Sequence, residues 1–281
     1  MLIYNPQYSL WLKVVSLAIH ITADRDSGST SASQLWSSRY GQQTLQLERV
    51  LLGQMTRHLH GDSVLWIGDD PTSALAIKRS MIRAGFFLGP HHPNNEHLPS
   101  IRAHVDDLPF QTGTLDGVVL HHALEGVGDP RTALREVARV LAPGGRLVIC
   151  GFNPWSSYGL RRLYAKVFPD AFSDNRFVNP LRLFDWLTLL GLELESAPFY
   201  TEFRLPFGQR RSTLDVQEKA LRRLGQGHLL NLPLGGLLFV SAIKRASATR
   251  PNWRRPAKET RRLAHVAYPR VASWQELQDD T

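Results

Sequence analysis

The sequence predicts an α/β fold in which a parallel sheet is covered by helices on both faces. Short apolar runs bounded by turn residues alternate with amphipathic stretches across residues 40–150, and this alternation is typical of βαβ units. The runs at residues 63–67 and 146–150 are largely apolar, as expected of strands buried on both faces. Ligands of such sheets bind beyond the carboxyl ends of the strands.

The helix at residues 129–141 carries the clearest local signals, because Asp129 suits the N-cap and Pro130 suits the first helical position. Thr72 suits the N-cap of an earlier helix. The predicted helices cover residues 41–59, 72–83, 129–141, 158–167 and 179–190. The predicted strands cover residues 63–67, 85–89, 101–105, 115–120, 146–150, 192–197 and 237–243.

Composition narrows the class of protein. A chain of 281 residues that is 43% hydrophobic can form one sizeable core. No apolar run reaches the roughly 20 residues of a membrane span, and Lys13 inside the first apolar run argues against a secretory signal. The single cysteine, Cys150, excludes an intramolecular disulfide and the usual cysteine-based metal site, so no metal site is predicted. Because Cys150 lies in an apolar run, we expect it to be an inert thiol in the core. The lack of disulfides fits a cytoplasmic protein.

Three segments are predicted. Residues 1–33 are expected to be a poorly ordered leader or an upstream extension from a start codon assigned too early. Residues 34–245 are expected to form the main domain with a partial lid at 156–235, and residues 246–281 to form a basic tail. Residues 243–281 contain nine basic and four acidic residues, a net +5 of the chain's +8. The tail is either a solvated terminus or a binding segment for an anionic partner such as RNA, DNA or anionic lipid.

Two blocks of sequence point to a family. The first reads V-D-D-L-P-F at residues 105–110 and continues with G-T-L-D-G-V-V-L at 113–120; the second is the helix at 129–141 followed by A-P-G-G-R-L-V-I at 142–149. They resemble the D-x-L-P-F … F-D-x-V and L-x-E-x-x-R-V-L-x-P-G-G-x-L-x-I signatures of class I methyltransferases of the UbiE/methyltransferase-11 type. The run G-F-N-P-W-S-S-Y-G-L-R-R at 151–162 is similar to one in an uncharacterised bacterial subgroup of these enzymes.

The resemblance implies a Rossmann-like, mostly parallel, seven-stranded sheet with an antiparallel last strand. It also implies methyl transfer from S-adenosyl-L-methionine to an acceptor that the sequence does not identify. Such transfer is an in-line displacement that needs alignment and exclusion of water rather than a metal. The alternative is a catalytically inactive methyltransferase-fold protein with a binding or regulatory role. Nucleotide-dependent oxidoreduction would need a G-x-G-x-x-G turn after the first strand, which is absent.

The resemblance also implies a cofactor site, although the sequence departs from the family at three of its contacts. The turn after the first strand keeps one glycine of the family's D-x-G-x-G-x-G, and Asp70 and Thr72 replace the later glycines, which let backbone approach a ligand. No acidic residue follows the second strand closely, and His104 stands at the family's acidic adenine contact. The predicted cofactor-binding residues are Gly68, Asp69, Asp106, Asp107, Leu108 and His121.

His121 and His122 end the fourth strand, where the ligand crevice is expected. Both are predicted catalytic residues, with His122 preferred, because imidazole suits proton removal from an acceptor; Glu125 could orient one of them. The other interpretation is that they pack on the sheet. Asn153-Pro-Trp is similar to the N-P-P-Y amine-binding motif of nucleic-acid methyltransferases. It follows the fifth strand rather than the fourth, so we interpret it as structural or at most pocket-lining.

Overall fold

The computed structural model describes residues 36–37, 39–89, 98–165, 176–201 and 234–245. The predicted leader, the basic tail, the loop after the second strand and parts of the predicted lid lie outside these residues. The anionic partner, the lid and the cytoplasmic location therefore stay predictions. Within the described ranges, no helix combines the length and apolar character needed to cross a bilayer.

The described chain alternates strands and helices, with two short 3₁₀ turns at Thr56–His58 and Leu75–Arg79. The helices are α1 (Arg39–Met55), α2 (Pro71–Ala74), α3 (Pro130–Val140), α4 (Ser157–Ala165) and α5 (Pro180–Leu189). The strands are β1 (His60–Gly68), β2 (Met81–Leu88), β3 (Ser100–Ile101), β4 (Leu115–His121), β5 (Leu141–Phe152), β6 (Leu192–Leu194), β7 (Phe199–Tyr200) and β8 (Leu237–Lys244).

The strands form one sheet in the order β3-β2-β1-β4-β5-β8-β6, with β7 also paired to β8. The first five strands are parallel to their neighbours, whereas β8 runs antiparallel to β5, β6 and β7. The prediction of a Rossmann-like, mostly parallel sheet with an antiparallel last strand is confirmed. The strand count differs by one: the strand predicted at 192–197 ends early and Pro198, which has no N–H to donate, precedes the separate β7.

Helices cover both faces of the sheet, as predicted. On one face, α1 packs its buried leucines Leu45, Leu51 and Leu52 against Trp66 of β1 and Phe239 of β8. On the other face, the apolar side of α3 and two leucines of α5 cover the alternate residues of the same strands. Asp129 accepts a hydrogen bond from Arg131 N and Pro130 begins α3, so the predicted cap is confirmed.

The prediction of a helix at residues 72–83 is wrong. After Asp70, helix α2 lasts four residues and is followed by the 3₁₀ turn and then by β2, which begins at Met81. Met81 is the register partner of His60 in β1, so the hydrogen bonds of the parallel ladder override the local helical pattern. The N-cap is also Asp70 rather than Thr72, because Pro71 occupies the first helical position.

The third predicted strand, at 101–105, is mostly absent from the sheet. Only Ser100 and Ile101 pair with β2. The chain then turns, and Asp107 N donates a hydrogen bond to the carbonyl oxygen of His104 at 3.1 Å. The loop that follows is consequently free to approach the carboxyl ends of the strands.

The strand order creates a switch point beside β1. From β1 the chain moves to β2 and β3 on one side and then returns to β4 on the other. Gly68, the last residue of β1, is the register partner of His121, the last residue of β4. Crevices at such switch points, outside the carboxyl ends of the strands, are where open α/β sheets bind ligands.

The predicted basic tail follows β8, the last strand of the described chain. The sequence analysis predicts this tail as a segment separate from the main domain. We expect deletion of residues 250–281 to change the melting temperature by less than about 2 °C. Differential scanning calorimetry of the full chain and the truncated chain measures this; a large drop in the melting temperature would show that the tail contributes to the fold.

Candidate functional site

The turn after β1 is built around Asp70. Its carboxylate accepts hydrogen bonds from Thr72 N at 3.2 Å and Ser73 N at 2.9 Å, and it forms an ion pair with Arg49 of α1 at 3.1 Å. Burial acts to raise the pKa of Asp70, but the hydrogen bond from Ser73 and the charge of Arg49 outweigh burial and lower it. Asp70 is therefore committed to the structure of the turn, and Asp69 is the half-exposed carboxylate that precedes it.

The main chains of neighbouring segments approach closely at the rim between β1 and β4. A Cβ atom on Gly68 would lie 2.5 Å from the carbonyl oxygen of His121, and one on Gly89 would lie 2.3 Å from the carbonyl oxygen of Gly68. Any side chain at either position would collide with backbone. The glycine that the sequence retains after β1 is thus required by the close approach of the neighbouring chain segments.

Glu136 and Arg139 of α3 clamp the loop that carries the D-D-L-P-F sequence. Glu136 accepts a hydrogen bond from Leu108 N at 3.3 Å. Arg139 donates to the carbonyl oxygens of Leu108, at 3.0 Å, and Phe110, at 2.8 Å, and it pairs with Glu136 at 2.8 Å. The E-x-x-R motif is thus a main-chain clamp. It leaves the predicted cofactor residues Asp106 and Asp107 exposed while Leu108 is buried.

A buried polar group lies beside the rim. We call it the Glu48 cluster, and it consists of Glu48, His121, His122, Glu125 and Cys150. The side chain of Glu48 is fully buried. One of its oxygens lies 2.9 Å from His121 Nε2 and the other lies 2.9 Å from His122 Nε2. A single carboxylate of α1 therefore bridges the two histidines predicted as catalytic.

The backbone of His122 brings both histidines to the same side of the sheet. Consecutive residues of a strand point to opposite faces, so His121, two residues after Val119, faces α1, and His122 would face away. His122 instead has φ 54° and is the only non-glycine residue with positive φ in the described chain. This left-handed conformation is unfavourable for a residue with a Cβ, and it turns the second imidazole back toward Glu48.

The carboxylate of Glu125 is hydrogen bonded to the other imidazole nitrogen of His122. Its Oε2 lies 2.9 Å from His122 Nδ1, and its Oε1 accepts a hydrogen bond from Phe152 N at 2.5 Å. Both nitrogens of His122 are thus engaged by carboxylates, and both histidines are buried. The catalytic role of His121 and His122 stays a prediction, whereas the contacts are those of groups that position the carboxyl end of β4.

The cluster contains a buried ion pair. Burial acts to raise the pKa of Glu48, but the charge of His122 and the hydrogen bonds from both imidazoles lower it to about 2. Burial acts to lower the pKa of His122, but the carboxylates of Glu125 and Glu48 raise it well above its usual value. Burial raises the pKa of the Cys150 thiol to about 12, assisted by the charge of Glu48. At neutral pH, Glu48 is ionised and His122 is protonated.

Aromatic rings cover the cluster. The ring centroids of Trp36 and Phe152 lie 4.8 Å and 4.4 Å from that of His122, and Tyr158 lies 4.7 Å from Phe152. Tyr158 also shares a hydrogen bond with Thr44 of α1 at 3.0 Å. These rings exclude water from the polar groups beneath them, so the interactions inside the cluster are strong.

Asn153 is structural, in agreement with our interpretation of the N-P-W sequence. The residue is fully buried. Its Nδ2 donates to the carbonyl oxygen of Gly235 at 2.8 Å and its Oδ1 accepts from Trp155 N at 3.1 Å. Its side-chain amide therefore joins the end of β5 to the chain that enters β8.

Glu48 is not among the residues predicted from the sequence, although its position carries a signal. Glu48 lies between Leu45 and Leu51 on the apolar face of α1. A charged residue within an apolar helical stripe is rarely buried without a partner. That pattern predicts a buried partner of opposite charge, which the sequence alone does not locate.

Comparison with known proteins identifies the domain. Residues 69–149 match the family model of a methyltransferase domain. The Escherichia coli uncharacterized protein YafS is 41% identical over 87 residues, which are 31% of this chain and 36% of YafS. The ubiquinone/menaquinone biosynthesis C-methyltransferase UbiE of Idiomarina loihiensis is 28% identical over 114 residues, 41% of this chain and 43% of that protein. The chain thus spans less than half the length of these curated relatives.

Solved structures share the fold at low sequence identity. A chain from the complex between the Haloferax volcanii Trm112 methyltransferase activator and a methyltransferase is 17% identical with a TM-score of 0.54, over 80% of this chain and all of that one. A SAM-dependent methyltransferase from Archaeoglobus fulgidus is 19% identical with a TM-score of 0.51, over 71% and 94%. The match at residues 69–149 and the shared fold support the predicted family and its cofactor, S-adenosyl-L-methionine. The individual cofactor-binding residues stay predictions.

The ion pair of the Glu48 cluster predicts a large effect of substitution. In Glu48→Gln the protonated His122 loses one of its two buried carboxylate partners, and breaking a buried ion pair from one side is costly. We expect the free energy of unfolding to fall by about 3 kcal/mol, measured by urea denaturation. Gln43→Ala, on the exposed side of the same helix, should change it by less than about 0.5 kcal/mol. Equal stability of both variants would contradict the ion pair.

Proposed function

We propose that this chain, which carries a class I S-adenosylmethionine-dependent methyltransferase domain, is an active methyltransferase whose acceptor is unidentified. One observation supports the proposal most directly: the match to the methyltransferase domain spans the switch point, from Asp69 after β1 to Ile149 in β5. The crevice beside Gly68 and His121 is where the fold favours ligand binding.

The residues around the switch point fit the nucleoside part of the cofactor. Asp106 and Asp107 are exposed carboxylates that can accept hydrogen bonds from hydroxyl and amino groups. The main chain of Leu108, the next residue, is hydrogen bonded to Glu136 and Arg139 of α3. Because the clamp fixes the loop before any ligand arrives, little conformational entropy has to be lost on binding.

The methionine part of the cofactor meets a different environment. Asp69 is half-exposed, and its carboxylate suits the cofactor's ammonium group. Asp70 already accepts hydrogen bonds from the N–H groups at the start of α2, which would otherwise suit the cofactor's carboxylate. We therefore assign the ammonium contact to Asp69 and no cofactor contact to Asp70.

The chain's own contribution to the reaction is alignment and exclusion of water. The bound cofactor supplies an electrophilic methyl group on a sulfonium. Holding an acceptor in line with that group is sufficient for displacement, and the aromatic cover of Trp36, Phe152 and Tyr158 supplies an apolar wall near the end of β4. His121 and His122 both contact Glu48, and in this proposal they position the end of the strand.

The assignment of the two neighbouring acids predicts different effects of their substitution. Asp69→Ala should weaken binding of S-adenosylhomocysteine at least tenfold, because its carboxylate contacts the ligand in the proposed site. Asp70→Ala removes an N-cap and the partner of Arg49, so it should lower the free energy of unfolding by at least about 1 kcal/mol. It should weaken binding less than Asp69→Ala does, because Asp70 positions the turn without contacting the ligand. Isothermal titration calorimetry and urea denaturation measure the two quantities.

Asp107→Ala is a second test of the pocket, and it should also weaken binding of S-adenosylhomocysteine at least tenfold. Unchanged affinity in both Asp69→Ala and Asp107→Ala would refute the pocket. If the native chain gives neither heat nor a thermal shift with millimolar S-adenosylhomocysteine, the catalytically inactive binding or regulatory protein becomes the better description of this fold.

The main-chain clamp predicts that a residue distant from the ligand controls its affinity. Arg139→Ala leaves the carbonyl oxygens of Leu108 and Phe110 without their charged donor, and such hydrogen bonds contribute about 1.5–3 kcal/mol. We expect S-adenosylhomocysteine to bind about tenfold more weakly because the loop is no longer fixed. Arg135→Ala, exposed on the same helix, is the matched control. Equal affinity for the two variants would show that the clamp does not serve the ligand.

A further inference from the structure

We propose that Glu48, His121, His122 and Cys150 bind one zinc ion beneath the rim of the crevice. The proposal concerns metal binding and does not depend on the proposed methyltransferase activity. Each of the four residues is buried, and each contributes one possible ligand atom. They come from three separate parts of the chain, because α1 provides Glu48, the end of β4 provides the histidines and β5 provides Cys150.

The distances suit a tetrahedral ion. All four ligand atoms lie within 4.8 Å of one another. Zinc bonds of about 2.0–2.3 Å place tetrahedral ligand atoms roughly 3.3–3.8 Å apart. The two separations of 2.9 Å between Glu48 and the histidines would lengthen by about 0.5 Å, and the longest separation would shorten by about 1 Å. Side-chain rotations of a few tens of degrees achieve such changes without moving the strands.

The donor set selects the metal. Two imidazole nitrogens, one thiolate sulfur and one carboxylate oxygen match the ligands of zinc, whereas magnesium and calcium prefer oxygen donors. Four protein ligands leave no open position, which is typical of structural rather than catalytic zinc. Because zinc binds the thiolate of Cys150 and the neutral imidazole of His122, its binding would release the Cys150 proton and the Nε2 proton of His122 to solvent.

An outer contact orients one of the ligands. Glu125 Oε2 lies 2.9 Å from Nδ1 of His122 and leaves Nε2 directed at the cluster. Glu125 is itself held by the backbone N–H of Phe152. A carboxylate on the remote nitrogen of a histidine is the usual support of a zinc ligand, because it fixes the tautomer and the ring orientation.

One feature of the cluster carries an energetic cost. The left-handed backbone of His122, which turns its imidazole toward Glu48, is unfavourable for a residue with a Cβ. A metal ion bound by both imidazoles would supply free energy that offsets this cost.

The site would join three elements at the switch point. Cys150 is the register partner of His121, which is in turn the partner of Gly68. A zinc ion here would therefore tie α1 to the ends of β4 and β5 directly below the rim. Loss of the ion would loosen the rim, so metal content and ligand affinity should be measured on the same preparation.

The test uses the full chain and inorganic metal salts. We expect elemental analysis of protein purified from zinc-supplemented medium to give one zinc ion per chain and the melting temperature to fall when a strong chelator removes it. Replacement by cobalt(II) should produce intense visible bands of a tetrahedral site and a thiolate-to-cobalt charge-transfer band. Because Cys150 is the chain's single cysteine, that band can come only from this site.

Matched variants separate this site from adventitious binding. Cys150→Ser should abolish the charge-transfer band and weaken zinc binding at least a hundredfold, Glu125→Gln should weaken it about tenfold to a hundredfold, and His58→Gln, at an exposed histidine, should change neither. Substoichiometric zinc in the native chain, with no thermal shift on addition of zinc or chelator, overturns the proposal. That result requires no variant to fold, and it would leave the cluster as a hydrogen-bonded ion pair.

Discussion

The carboxylate of Glu48 is the constraint on which the arrangement of the site depends. A fully buried charge inside an apolar layer is unstable unless it is paired and hydrogen bonded. Its two partners, His121 and His122, satisfy both oxygens, and they can do so only if α1 lies with this one residue over the end of β4. The rotation of α1 and the left-handed turn at His122 are thus consequences of one buried charge.

Helix α1 acts on both sides of the switch point. Glu48 fixes the end of β4, and the next residue, Arg49, holds Asp70 in the turn after β1. Two adjacent residues of α1 therefore fix the ends of the two strands that form the rim of the crevice. This geometry offers a physical reason for the unusual turn. Where most members of the family place glycines, this chain uses a capped helix anchored from α1, so the turn is fixed by charge rather than by close backbone packing.

The sequence predicted the fold more completely than the site because the two depend on interactions of different range. Apolar runs and the Asp129 cap are local signals, and the strands and α3 followed from them. The predicted boundary between α2 and β2 was wrong, because Met81 is held in an extended conformation by its pairing with His60, about twenty residues earlier. The histidines were found at a strand end, but their partner Glu48 was missed, since helical periodicity treats a buried charge as an exception and does not indicate what it contacts.

Two separate groups of side chains fix the loop at Leu108 and the end of β4. This separation explains how the D-D-L-P-F sequence can be kept while the turn after β1 departs from the family pattern. Glu136 and Arg139 fix the loop at Leu108 from α3, on one face of the sheet. Glu48 fixes the rim from α1, on the other face. The described structure shows no hydrogen bond or ion pair between these two groups, so a change in the turn after β1 need not disturb the loop. The loop at Leu108 can therefore keep the family's sequence pattern while the turn after β1 is organised around Asp70.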